Sequence, residues 1–389
     1  MRKKSSLFLL ITSLVFSNFH STAVDYYRLY YHGLFSGQPT SARAAGMGLT
    51  TITLGGIENV VYNPASIGLE QNRINIYANY STGDQITVGS KFGFFGVSYR
   101  VNDKLVLGLS RQNWWVKDAA WTVIIGSFEE NVDKSSQAMY TLSGAYEVIP
   151  NLQLGLSGNF LIDKAVPGMV TNSEFIASVG AIYDRNVDWI KLKSLDNQKV
   201  RFAGSFVNLF MNQEIVARYK EYKQSQELPA YLRFGTSYQA SLPFNPGFLS
   251  NVSLFGNAPK SVDLSLNLQY GNYLKDKYNT SVGIGAEALF MKMIAFRLGY
   301  FFEKRPEQFE DNYGDFWKTT NKKGLTFGYG IKVPLSQLTD HKIPFDADVD
   351  MVTFKVLNEL NTKNYTQPAY FQGHNFLFAF GLKLRWVKD

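Results

Sequence analysis

The sequence contains no cysteine and only four histidines, His20, His32, His341 and His374, spread over 389 residues. Without cysteine the chain cannot be a string of small disulfide-stapled modules, the usual solution for exported proteins that lack a large core. Four scattered histidines and no thiol offer no ligand spacing for zinc, so neither a metal site nor a cofactor is expected. Nowhere do about 18 apolar residues run together, so any insertion into a bilayer must use strands rather than helices. Lys and Arg number 39 against 32 Asp and Glu, a formal net charge of +7. The basic residues are scattered, whereas nucleic-acid binding needs a clustered footprint, and that class is set aside. No glycine-rich loop follows a strand and opens a helix, so nucleotide binding has no support either.

What the chain has in quantity is aromatic residues, 15% of the total with 30 Phe and 23 Tyr, beside 32 Gly. It opens with Arg2, Lys3 and Lys4, an apolar block from Leu7 to Phe16, and small residues at Ser21 and Ala23. That pattern predicts a secretory signal peptide over residues 1–23, cleaved after Ala23 and exported by the general secretory route. The block is too short for a membrane anchor. About 365 residues remain, enough for two ordinary domains or one large barrel.

Periodicity favours the barrel. In NLQLGLSGNF, Leu152, Leu154, Leu156, Gly158 and Phe160 alternate with Gln153, Gly155, Ser157 and Asn159. VDLSLNLQY from Val262, LTFGYGIKV from Leu325 and FLFAFGLKLRW from Phe376 repeat this period of two. Soluble sandwiches alternate too, but many of these runs match or exceed the roughly 9 to 11 residues of a tilted membrane strand. Their polar faces are small and wet, as a lumen requires. Strands are expected near 74–81, 90–101, 104–114, 137–148, 151–163, 174–186 and 199–209, then 230–240, 262–272, 280–290, 293–303, 324–334, 346–357 and 374–386. The fold class read from this is all-β: a transmembrane antiparallel β-barrel of about 14 strands over residues 74–389. Short turns at Asn102-Asp103, Pro150 and Met291-Lys292 alternate with long connections at 115–136, 210–229 and 304–323, as periplasmic turns alternate with outer loops in bacterial barrels. The connections at 187–198 and 241–261 break that rule.

A Lys or Arg at the lipid-facing midplane costs about 2–4 kcal/mol, so charges within strands belong on the lumen face. Arg100, Glu287, Lys332, Lys383 and Arg385 fall there by parity. Asp346, Asp348 and Asp350 also share one face; they read either as an acidic patch for a cation or as lumen charges balanced by Lys and Arg. Trp114, Trp115 and Trp121, in NWWVKDAAW, read either as interfacial girdle or as a surface that captures a ligand or partner. His374 with Ser336 or the Asp346 cluster has no triad spacing, and no enzyme activity is expected.

Residues 24–73 fit neither a regular helix nor a strand. Gly46, Gly48, Gly55 and Gly56 permit tight turns and close backbone approach. Pro64 forces Asn63 out of the helical region, and Asn63 can bond to nearby backbone. Irregular backbone survives at membrane depth only inside protein or beside a wet cavity, so this segment is expected to plug the lumen. Ser41-Ala-Arg43-Ala-Ala-Gly46-Met47-Gly48, followed by Tyr62-Asn63-Pro64-Ala65, resembles the N-terminal signature of FadL-like (OmpP1/TodX) outer-membrane proteins, and more closely their PorV-like and PorQ-like relatives in Bacteroidota. GIGAEALF and IAFRLGYFFE, within 283–303, look like a late strand pair of the PorV-like branch. The resemblance implies a fourteen-stranded barrel with an internal plug, embedded in outer-membrane lipid. The stretch after Gly48 lacks the usual Gly-Ala continuation, and the chain ends Trp386-Val-Lys-Asp rather than on an aromatic residue.

Two functions follow as expectations. The first is a PorV-like adaptor of type IX secretion whose loops hold secreted proteins or a translocon. The alternative is a channel for uptake of hydrophobic small molecules such as long-chain fatty acids. A channel needs an apolar lumen surface beside the plug. The inward faces legible by alternation are mostly Gly, Ser, Asn and Lys, which favours the adaptor, although Ile52, Leu54, Val60 and Val61 of the plug could line a ligand slot.

Overall fold

A computed structural model describes residues 40–82, 90–125, 128–164, 170–171, 173–187, 194–210, 214–219, 222–227, 230–244, 261–274, 280–304, 322–333, 335–338, 344–358 and 375–386. The expected signal peptide and residues 24–39 lie outside these. The strands are β1 (Ile74–Thr82), β2 (Ser90–Arg100), β3 (Leu105–Ile125), β4 (Phe128–Ile149), β5 (Leu152–Lys164), β6 (Val170–Thr171), β7 (Glu174–Asn186), β8 (Asp196–Val207), β9 (Glu214–Tyr219) and β10 (Tyr222–Glu227). They continue with β11 (Tyr231–Pro243), β12 (Ser261–Tyr273), β13 (Thr280–Phe290), β14 (Ile294–Glu303), β15 (Lys322–Val333), β16 (Phe345–Asn358) and β17 (Asn375–Trp386). Two short helices, α1 (Ala42–Ala45) and α2 (Leu335–Leu338), complete the elements used below.

Fourteen strands close into one antiparallel barrel, β1 pairing with β17 from Ile74↔Trp386 to Ser81↔Ala379. Closure removes the unpaired edges that an open sheet would expose to lipid. The remaining strands form a small sheet in the order β10-β9-β6, within the connections that leave β5 and β8. The expected barrel strands match to within about three residues, with one large exception. The segment 115–136, read as a loop, continues β3 and β4 as a long hairpin. Pairing of β3 with β2 stops at Val116 and pairing of β4 with β5 begins at Ser136, so Trp121–Ile125 and Phe128–Val132 pair only with each other. The 210–229 connection likewise contains β9 and β10.

One end of the barrel carries the tight turns. Asn151 lies at φ 69°, and Met291 and Lys292 at 51° and 56°, the left-handed geometry whose twist suits a hairpin turn. Outward side chains are apolar: Leu107, Leu109, Leu142, Leu156, Leu266, Ile284, Leu298 and Phe327 stand exposed around the wall. Near the turn end this face bears Tyr99, Tyr146, Tyr183, Phe345 and Trp386, the last two packed edge to face at 5.1 Å. Toward the loop end it bears Tyr140, Phe160, Phe175, Phe234 and Tyr270. This second set stands roughly nine residues from the turn end of its strands, about 30 Å along a strand at ~3.3 Å per residue. A tilt of about 40° leaves a little over 20 Å of height, close to the ~25 Å apolar band of outer-membrane barrels and its flanking aromatic girdles. Among the described residues Arg111 departs from the expected lumen placement: it is exposed on the outer face, 5.3 Å over the Tyr140 ring, with its Nε donating to Asn113. At the aromatic belt such a side chain can keep its charge at the wet interface.

Candidate functional site

Described residues 40–70 lie inside the barrel, nearly all of them buried. Ser41 accepts a hydrogen bond from the Ala44 amide and so caps α1, which aims Arg43 at the wall. Arg43 donates from Nε and Nη2 to Glu287 at 3.0 and 2.6 Å. Glu287 also accepts from Arg297 Nε at 2.6 Å, and Arg297 faces Asp350 at 2.8 Å. Burial works against the Arg43 guanidinium, but the Glu287 carboxylate outweighs it and holds the pKa above the ordinary arginine value. Further round, Lys383 bridges Glu58 at 3.2 Å and Glu70 at 2.7 Å. Burial raises the Glu58 carboxyl above its usual range, while Lys383 pulls it back. Arg385 pairs with Asp348, and Asp346 accepts from the Ser336 hydroxyl at 2.7 Å and amide at 3.1 Å.

The three aspartates are thus engaged by Arg297, Arg385 and Ser336. Among the described residues no group of three or more potential metal ligands occurs. The Ser336–Asp346 pair ties α2 to β16; His374 lies outside the described residues.

The Asn-Pro-Ala turn is buried, not a surface feature. Asn63 caps the 3-10 turn Pro64–Leu69 by accepting from the Ala65 amide, and its Nδ2 donates to the carbonyls of Ile52 and Ala181. The wall is cut to the plug's backbone. Gly48, at φ 65°, runs so close to β13 and β14 that a Cβ there would strike the carbonyl oxygens of Ile284 and Tyr300. Gly285 and Gly299, facing it, would strike Met47 and Gly48 in turn. The Gly48 amide donates to Thr326 at 2.9 Å, and Gly46 lies against Gly328. Met47 packs with Ala44 and Leu54.

Ions and apolar groups both meet the plug. Glu287 of β13 and Lys383 of β17 pair with it, Arg100 of β2 donates to the carbonyls of Gly68 and Glu70, and Arg201 of β8 donates to the Thr53 carbonyl at 2.8 Å and to Asp184. From β2 to β8 the plug also meets an apolar collar: Phe92, Phe94, Met139, Leu161, Ile176 and Val207 form one buried cluster with Ile57, Val60, Val61, Tyr62 and Ile67 of the plug. Alternation alone missed this collar because most of its members adjoin an outward apolar residue. The signal was nonetheless present as doublets, Phe94-Phe95, Met139-Tyr140, Phe160-Leu161 and Phe175-Ile176, where one side chain turns in and its neighbour turns out. The plug's Ile52 packs separately with Ala65, Ile182 and Ala203. Trp114 and Trp115 stand opposite Gln137 and Ser136, and Trp121 opposite Val132 on the projecting ribbon; their side chains lie outside the described set.

No family model matches this sequence, and no curated protein does. Among solved structures, a FadL homologue from Pseudomonas aeruginosa is similar over 89% of this chain and 98% of its own, at 11% identity and a TM-score of 0.48. The monoaromatic hydrocarbon channel CymD is similar over 89% and 97%, at 11% identity and 0.45. The toluene transporter TodX of Pseudomonas putida is similar over 90% and 98%, at 8% identity and 0.41. The PorV-like branch does not figure among these neighbours.

Proposed function

We propose that this chain is an outer-membrane channel for small hydrophobic molecules, held shut by its N-terminal segment. The observation that carries this reading is the collar: an apolar ring inside the wall, sealed by the apolar tip Val60-Val61-Tyr62 of the plug. A purely structural lumen has no need of such a surface, whereas a hydrophobic solute leaving the outer loops gains about 25 cal/mol for each Å² of apolar area it buries there. The channel is the alternative that the polar inward faces had disfavoured; the collar removes that objection. Solved neighbours of similar fold include proteins described as hydrocarbon channels and toluene transporters.

The test is saturable binding of a neutral fluorescent probe, 1-N-phenylnaphthylamine, to the mature protein in mild detergent. Leu161→Asn should abolish most of the signal without opening the barrel. A probe that fails to saturate, or binds the variant equally, refutes the channel. The adaptor of type IX secretion remains a second reading because of the ribbon Trp121–Val132 and the small sheet β10-β9-β6 at the loop side. Recovery of the protein bound to secreted proteins or a larger translocon, without apolar ligand, would favour it.

A further inference from the structure

We infer that Arg233 latches the collar: its guanidinium holds the Tyr62 ring of the plug across the loop-side mouth, and a solute enters when that ring turns aside while the plug stays seated. This rests on the channel reading and adds how entry is controlled. Arg233 is 2% exposed, and its Cζ lies 3.9 Å from the centre of the Tyr231 ring and 4.9 Å from that of Tyr62. One cation thus engages two aromatic rings, one from the wall and one from the plug. Both distances fall within the roughly 6 Å over which a guanidinium is attracted to an aromatic face, and that attraction is larger where water is excluded. Both tyrosines belong to the buried apolar cluster.

The Tyr231 hydroxyl is hydrogen-bonded to Ser281, and Ser281 pairs with Glu303 at the end of the β13–β14 hairpin opposite its turn at Met291–Met293. The latch therefore lies on the loop side, where a solute arriving from outside meets the plug. Beside it Leu49, Tyr62, Tyr231, Arg233, Phe301 and Glu303 line a recess of about 30 Å³, room for a water but not for a solute. Entry requires movement. The plug backbone, however, is fastened around the ring: Ser205 donates to the Tyr62 carbonyl at 2.6 Å, the Tyr62 amide donates to the Asn59 carbonyl at 3.0 Å, and the Thr51 and Ile52 amides donate to Gln269 at 2.8 and 2.9 Å. The side chain is held by Arg233 on its face and by Thr40 at its hydroxyl. Turning the ring breaks those side-chain contacts while the backbone bonds survive.

The experiment mixes the full mature protein, in mild detergent, with 1-N-phenylnaphthylamine in a stopped-flow fluorimeter and reads the association and dissociation rates. Arg233→Gln, which removes the cation, and Tyr62→Leu, which removes the ring, should each speed both rates about tenfold with little change in their ratio. Because the two residues share one interaction, the double variant should be no faster than either single one. Tyr62→Phe, which keeps a ring over the guanidinium, should stay slower than Tyr62→Leu. Barrel closure is verified by heat-modifiable gel mobility, and Tyr62→Leu alone decides if Arg233→Gln does not close. Unchanged rates, effects that multiply in the double variant, or faster entry accompanied by new protease cleavage after Arg43 overturn the latch and leave the channel standing. A probe that fails to saturate the unaltered protein removes both.

Discussion

Glu287 sits where two cations converge, Arg43 from the plug and Arg297 from β14. Removing it as Glu287→Ala leaves both guanidiniums short of a partner in a desolvated place, a change that typically costs about 3–5 kcal/mol. The expected result is a lower denaturation midpoint in detergent and new protease cleavage after Arg43, with the barrel itself still closed. Intact resistance at Arg43 would show that the plug is held by packing alone. At the turn end, Met291 and Lys292 hold left-handed backbone without being Gly or Asn. Replacing the pair by Asn-Gly should stabilise the protein by roughly 1 kcal/mol, seen as a higher thermal midpoint, because these residues favour that geometry. Parity in the sequence placed Asp348, Asp350, Lys383 and Arg385 on the lumen face, yet it could not name their partners. Arg43 and Glu287 are 244 positions apart, and no local pattern encodes such a meeting.

Strands are the level at which the sequence was most legible, since one lipid face and one wet face impose a period of two. The reading failed where a strand leaves the bilayer. Beyond Val116 the β3–β4 ribbon has no lipid on either side, so Trp121-Thr-Val-Ile-Ile125 loses its alternation and looks like a loop. Because the ribbon pairs only with itself, replacing residues 118–133 by an Asn-Gly turn should leave barrel closure unchanged. Gel mobility of unheated samples tests this: a shift to the unfolded position would mean that the ribbon helps the barrel to form. The collar was hidden for a related reason. Its members sit beside girdle residues, and a doublet such as Phe160-Leu161 carries two apolar demands at once, one from lipid and one from the lumen.

For the molecule as a unit, two aromatic belts and the apolar wall between them fix its position across a bilayer. Trp386 lies in the belt at the turn end. In a variant whose other five of the six tryptophans are phenylalanine, its fluorescence should be quenched more by a label near the lipid headgroups than by one at mid-chain. The reverse order would displace the barrel from its proposed seat.

The bonds that seat the plug have a consequence for assembly. Lys383 reaches Glu58 across 325 positions, so the opening of the chain cannot lock until its last strand has arrived. Contacts of such long range form late, after most loop entropy has been lost. During biogenesis the cylinder is therefore hollow before it is filled, and how fast the cork follows the final hairpin sets how long that hollow stands open.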